Sequence, residues 1–259
     1  MMLSGHHRLQ SSRFELKYII DEPCAIAVRK FIACYLVPDE HADPRNNYEY
    51  PVYSLYLDSP NYTLYRATVT GLTNRFKLRV RFYNQLPDSP AFFEIKERRN
   101  EVILKQRAAV RRSSVTRLLA GHWPRLADLV DSSTGDFGRL QRFCGLRDRL
   151  QAGGKVFLSY MREAHVSEED ESIRVTFDRQ LAASRCSGLS GMQDLKLRRI
   201  PVGNVILELK FTNRFPIWLR HMVRIFSLER ISVAKYVSCA QALGDPQLRM
   251  VDSYQEYIA

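Results

Sequence analysis

The chain has 259 residues, 45% hydrophobic and 26% charged, as expected of a globular protein able to bury a substantial core. Its 39 Lys+Arg against 28 Asp+Glu give a net charge of +11, which favours phosphate-rich ligands, nucleic acid or anionic membrane as partners. No apolar run approaches the roughly 18–20 residues of a transmembrane helix, and the N-terminus lacks the apolar core of a signal peptide. The five scattered cysteines, without a Cys-x-x-Cys pair, argue against zinc or disulfide scaffolds and for a reduced, cytoplasmic protein.

In chain order, strand-like alternation is expected at 13–20, 50–58, 75–84, 91–98, 101–111, 155–165, 172–181, 195–202 and 204–211. Asn100 and Gly203-Asn204 mark tight hairpins. A helix is expected from Asp21, a plausible N-cap, with Pro23 in its first turn. Another runs from Ser59-Pro60 to Gly71. Residues 113–152 read as helix interrupted at Gly121, Pro124 and Gly135, and "FPIWLRHMVRIF" and "SVAKYVSCAQALG" supply two more. The acidic run 167–172 reads as a solvated turn. This pattern predicts one α+β domain over 12–244, a flexible N-terminus at 1–11 and a peripheral tail at 245–259.

Side chains two apart on a strand share a face. In "RFKLRVRFYN", Lys77, Arg79 and Arg81 therefore lie together, opposite Leu78, Val80 and Phe82. The same test groups Arg13, Glu15 and Lys17; Glu94, Lys96 and Arg98; Ile103, Lys105 and Arg107; Tyr160 and Arg162; Arg174, Thr176 and Asp178; and Glu208 with Lys210. One basic face is a common solvated surface. Cations on several strands facing inward would repel unless an anion neutralised them, and a nearly closed barrel of this kind is a polyanion pocket. Glutamates among them supply oxygen ligands for Mg²⁺ or Mn²⁺. Period alone leaves both readings open.

The ordered set "FELKY", "KLRVRFY", "FFEIKER", "YMREA", "IRVTFD", "VILELKF" and "SVAKY" resembles the VTC domain over about residues 12–244. This family is the polyphosphate-polymerase branch of the CYTH-like triphosphate tunnel metalloenzymes. The resemblance implies an antiparallel β-barrel tunnel with flanking helices and inward-facing cations. It places Lys17, Arg79, Arg81, Lys96, Arg162, Arg174 and Lys235 as catalytic residues. It adds Lys77, Lys105, Tyr160 and Lys210 to the substrate-binding set. Glu208, in "LELK", is the implied metal ligand, with Glu94 either a second ligand or a partner for Lys96; Glu15 shares that ambiguity. Hydrolytic CYTH members begin Glu-x-Glu-x-Lys, whereas Arg13 precedes Glu15 and Lys17 here, which moves the reading away from a hydrolase.

The activity implied is transfer of the γ-phosphate of ATP or another nucleoside triphosphate to a growing inorganic polyphosphate, with Mn²⁺ or Mg²⁺ as cofactor. A metal-dependent triphosphatase and a non-catalytic polyphosphate binder are the alternatives. Nucleic acid is not expected, because no groove-reading helix or exposed aromatic platform accompanies the charge. Lys77, nearer its strand end than Arg79 and Arg81, is expected closer to the entrance and weaker in binding. Removal of Glu208 is expected to leave the fold intact. "GGKVF" lacks P-loop spacing, the histidines lack metal spacing, and Arg220 and Arg224 read as the solvated edge of a packed helix.

Overall fold

The computed structural model describes residues 13–100, 102–168, 172–186, 195–244 and 248. The segments expected to be a flexible N-terminus and a C-terminal tail lie outside these residues, apart from Leu248. So does the centre of the acidic turn. Ten antiparallel strands form one sheet: β1 (Arg13–Ile20), β2 (Val37–Pro38), β3 (Glu49–Asp58), β4 (Asn74–Phe82), β5 (Ala91–Arg99), β6 (Val102–Val110), β7 (Gly153–Val166), β8 (Ile173–Arg185), β9 (Arg198–Arg199) and β10 (Val205–Thr212). The main order is β1-β10-β8-β7-β3-β4-β5-β6, with β2 on β7 and β9 on β8. Six α-helices accompany them among the described residues: α1 (Glu22–Ile32), α2 (Thr63–Val69), α3 (Val115–Leu119), α4 (Thr134–Arg149), α5 (Ile217–Ile225) and α6 (Lys235–Leu243).

The sheet curls until its end strands β1 and β6 are neighbours, yet no ladder joins them among the described residues. Lys96 of β5 reaches across this seam to Glu15 of β1, 2.8 Å away. The expected barrel is thus a nearly closed tube with a seam sewn by side chains.

Alternation decides the two surfaces. On the convex side, Leu78, Val80 and Phe82 join Phe93, Ile95, Leu118, Leu140 and Phe143 in one core under α3 and α4. A second core packs Tyr18, Val28, Ile32, Leu207, Leu209, Leu219 and Met222 under α1 and α5. A third, rich in tyrosine, joins α6 to β3, β7 and β8 through Tyr56, Tyr160, Tyr236 and Cys239. Burial on this scale, worth roughly 1.5–3 kcal/mol per large apolar side chain, fixes which face of each strand turns inward.

Local chemistry sets most boundaries. Asp21 caps α1, accepting from the Cys24 N–H at 2.8 Å, and Arg29 and Lys30 close its last turn. Gly203 turns into β10 at φ +69, where an added Cβ would lie 2.3 Å from Ile19 Cγ2. Asn100 takes φ 52 at the end of the β5 hairpin. Three expectations shift. Ser59 and Pro60 do not open α2, because Tyr62 is left-handed (φ 56); the helix starts at Thr63, whose N–H donates to Ser59 Oγ at 3.0 Å. Residues 195–202 give only the two-residue β9, since Pro201 has no N–H to extend a ladder. The last helix begins at Lys235, not Ser232, because the Ile231 N–H donates to the Lys17 carbonyl at 2.9 Å and holds the preceding residues along β1. No described helix is long and apolar enough to cross a membrane.

Candidate functional site

The concave face of β4, β5 and β6 carries cations in cross-strand rows. Arg75 faces Arg98; Lys77 faces Lys96, which faces Lys105; Arg79 faces Glu94, which faces Arg107. Like charges directly opposed across a ladder destabilise it. Only the third row has a carboxylate between its cations.

These rows open into a cavity of ≈ 500 Å³ at the mouth of the tube, lined by Arg75, Lys77, Lys96, Arg98 and Arg230 beside Phe76, Ile103, Ile231 and Val233. Lys17, Lys77 and Lys96 also line a smaller inner chamber of ≈ 80 Å³. Arg79, Arg81, Arg162, Lys210 and Lys235 complete eight cationic side chains around that chamber, with Tyr56, Tyr160 and one lining carboxylate, Glu208. α6 delivers Lys235: Tyr236 stacks on Tyr56 at 5.0 Å, and its hydroxyl donates to the buried Asp58 at 2.8 Å.

The carboxylates are shared out among the cations. Glu208 lies 2.8 Å from both Lys235 and Lys210, 3.5 Å from Lys17 and 3.8 Å from Arg162. Asp178 takes Arg162 through two hydrogen bonds of 2.7 Å and lies 2.6 Å from Lys235. Glu15 lies 3.1 Å from Lys17 and 2.8 Å from Lys96. Glu94, wholly buried, accepts from Arg79 Nε at 2.6 Å, lies 2.7 Å from Lys105 and reaches Arg107 at 3.6 Å. Arg79 also donates to the Tyr56 hydroxyl at 3.0 Å, and Arg81 to Ser54 and Tyr160 at 3.3 Å each.

Ionisation follows from this sharing. Burial would raise Glu208, but Lys210, Lys235, Lys17 and Arg162 hold it well below the carboxylate range. Lys96 and Lys17 outweigh burial in the same way at Glu15, and Arg79, Arg81 and Lys105 do so at Glu94. Burial opposes charge on Lys235, yet Asp178 and Glu208 raise it strongly. Lys77 goes the other way. Burial, then Lys17, Lys96 and Arg75, push it down to about 7. Among the described residues it has no ion pair. Burial likewise lowers Lys210 to about 8 despite Glu208.

The chamber thus gathers Lys17, Lys77, Arg79, Arg81, Lys96, Tyr160, Arg162, Glu208, Lys210 and Lys235 from the expected set. Three expected residues lie elsewhere. Arg174 pairs with Asp39 and touches Tyr50. The Lys105 side chain is 41% exposed on the end strand and pairs with Glu94. Glu94, outside the chamber lining, has Arg79 on one oxygen and Lys105 on the other, and it is Glu15, not Glu94, that partners Lys96. Lys77 differs from expectation too, since it lines the inner chamber as well as the mouth. Asp178, Tyr56 and Tyr236 were not foreseen. Asp178 sits in the alternation of β8, but nothing in the sequence indicates which cations it holds.

Among the described residues, no group of three or more His, Cys, Asp or Glu is placed to hold a metal ion. Mg²⁺ is commonly bound by one or two carboxylates plus substrate phosphates. Glu208, with Glu15 beside it on Lys17, fits a cation that arrives with a triphosphate.

A family model described as the VTC domain matches residues 12–243. No curated protein matches the chain. Among solved structures, the chain is similar to a candidate adenylate cyclase from Bacillus halodurans, at 14% identity and TM-score 0.48, covering 86% of this chain and 94% of that one. It is similar to the PH1819 protein from Pyrococcus horikoshii at 11% identity and TM-score 0.45, covering 87% and 96%. A Mimivirus capping enzyme triphosphatase matches at 11% identity and TM-score 0.33, covering 83% and 89%. Likenesses this distant say nothing of activity.

Proposed function

The chain belongs to the VTC domain family, and on that premise we propose that it is a polyphosphate polymerase. It transfers the γ-phosphate of a nucleoside triphosphate, ATP being the expected one, to the end of an inorganic polyphosphate chain and releases the diphosphate. The observation that carries this reading is the imbalance in the chamber: among the described residues eight cations line it with one carboxylate, and Lys77 makes no ion pair. A buried excess of positive charge is costly, and an entering anion offsets that cost.

Phosphoryl transfer asks for positioning and charge neutralisation more than covalent chemistry. Arg79 and Arg81 present forked donors fixed by Glu94, Tyr56, Ser54 and Tyr160, so they orient phosphate oxygens with little reorganisation. Lys77, Lys96, Lys210 and Lys235 act as point charges around the same space. Glu208, with Glu15, would hold Mn²⁺ or Mg²⁺, which supplies further neutralisation of the triphosphate. The four carboxylates nearest the chamber are all held ionised by cations. None of these carboxylates is tuned near neutral pH to deprotonate water, and a phosphate acceptor, already anionic, needs no such base.

The test is incubation with ATP and Mn²⁺, followed by gel analysis. Long phosphate chains are expected. Orthophosphate as the only product would overturn the polymerase in favour of a triphosphatase.

A further inference from the structure

The polymerase reading leaves open how much of an inorganic chain the tube holds, and the structure bears on this at Arg174. Arg174 stands directly opposite Lys210 on the β8–β10 ladder, and Lys210 lines the chamber. Opposed side chains in such a ladder are about 4.5–5.5 Å apart at Cβ. The chamber's positive charge therefore continues onto the next strand. Between Arg174 and Asp178 on the same face lies Thr176, opposite Glu208, whose hydroxyl is buried without a hydrogen-bond partner among the described residues.

Arg174 is nevertheless kept out of the chamber lining. Its guanidinium is ion-paired with Asp39 and donates to the Tyr50 hydroxyl at 3.2 Å. Asp39 is 5% exposed. Its carboxylate also accepts from the Tyr50 hydroxyl and the His41 N–H, each at 3.0 Å, while its own N–H donates to the Ala164 carbonyl at 2.9 Å. A carboxylate from the loop after β2 thus sits on the next cation that a phosphate track would reach.

We propose that Asp39 determines the length of polyanion the tube accepts, its carboxylate standing on Arg174 where a phosphate of a longer chain would bind. A triphosphate is held by the chamber cations and leaves the Asp39–Arg174 pair intact. A chain running past Thr176 must displace Asp39 from Arg174, and the repulsion between carboxylate and phosphate disfavours that exchange. This rests on the polymerase reading, because only a polymer has phosphates to place there.

The experiment titrates tripolyphosphate and long-chain polyphosphate into the full chain, unaltered and as Asp39→Asn and Arg174→Gln. Asparagine keeps the size and an acceptor for the His41 N–H but removes the charge. Asp39→Asn should tighten long-chain binding about tenfold or more, the value of one charge-assisted contact, and leave tripolyphosphate unchanged. Arg174→Gln should weaken the long chain alone. Equal changes for both anions, or no change for the long chain, overturn the proposal while leaving the polymerase reading standing. An unaltered protein that binds neither anion overturns both. Should Asp39→Asn fail to melt cooperatively, Arg174→Gln decides: an unchanged long-chain affinity there overturns the proposal.

Discussion

Lys77 and Lys96 face each other across the β4–β5 ladder, and among the described residues only Lys96 is ion-paired, with Glu15. An unanswered cation inside the tube weakens the empty protein and has the most to gain from an entering anion. Lys77→Met should therefore raise the stability of the ligand-free protein by about 1 kcal/mol or more and weaken tripolyphosphate binding about tenfold. Denaturant melts and calorimetric titration check the two halves. Unchanged binding would return Lys77 to the peripheral role its place near the strand end suggests.

The depressed Lys77 also gives a pH signature. Its folded pKa of about 7 lies below the ordinary lysine value of 10.5, so between those values the unfolded chain binds more protons. Stability of the ligand-free protein should rise with pH across this window as the repulsion is relieved. Triphosphate affinity should fall as pH rises through about 7, because the neutral amine no longer attracts phosphate. Melts and titrations from pH 6 to 8, about one unit either side of the transition, test both. A Lys77→Met variant with the same pH dependence would assign the effect elsewhere.

Glu208 touches four cations, so its removal is not neutral to the fold as the sequence suggests. Glu208→Gln should cost about 3–5 kcal/mol of stability, since it leaves Lys235, Lys210 and Lys17 short of a counter-charge. It should abolish metal-dependent turnover, while metal-free tripolyphosphate, measured with chelator present, should bind more tightly and restore much of the lost stability. Full metal-dependent turnover in this variant would remove Glu208 from the site.

Arg79 bonds Glu94 with one part of its fork and Tyr56 with another. Arg79→Lys keeps the charge but cannot hold both partners while meeting a phosphate. Triphosphate affinity should drop about tenfold, with little relief from moderate salt because the site is enclosed. A wild-type affinity would mean that charge alone, not geometry, matters at this position.

Much of this site is legible in the sequence because a strand's period of two reports its faces directly. The stripe of Lys77, Arg79 and Arg81 and the pair Glu208 and Lys210 lie as alternation places them. What alternation cannot give is depth and partner. Lys105 shares a face with Arg107, yet it sits on an end strand, outside the chamber lining and partly open to water. Alternation leaves Glu94 either a metal ligand or a partner for Lys96, two residues along its own strand, whereas the register across the ladder sets it opposite Arg79. Asp39 and Tyr56 reach the tube from residues far away in the chain, where no local pattern signals them. The start of α6 escapes the local pattern for a related reason: the residues before it bond to β1 at the far end of the chain, through the Ile231 N–H and the Lys17 carbonyl.

That bond has a further consequence. β1 is an end strand, and the residues leading to α6 cover its free side at Lys17 by both main chain and side chain, the latter through Lys17 Nζ to the Val233 carbonyl at 2.9 Å. Uncovered strand margins recruit other chains. A protein cut after α5 would lose more than Lys235. It would present a bare backbone margin to its own copies, so self-association would accompany loss of the anion site, and the two defects would arise together from one missing segment.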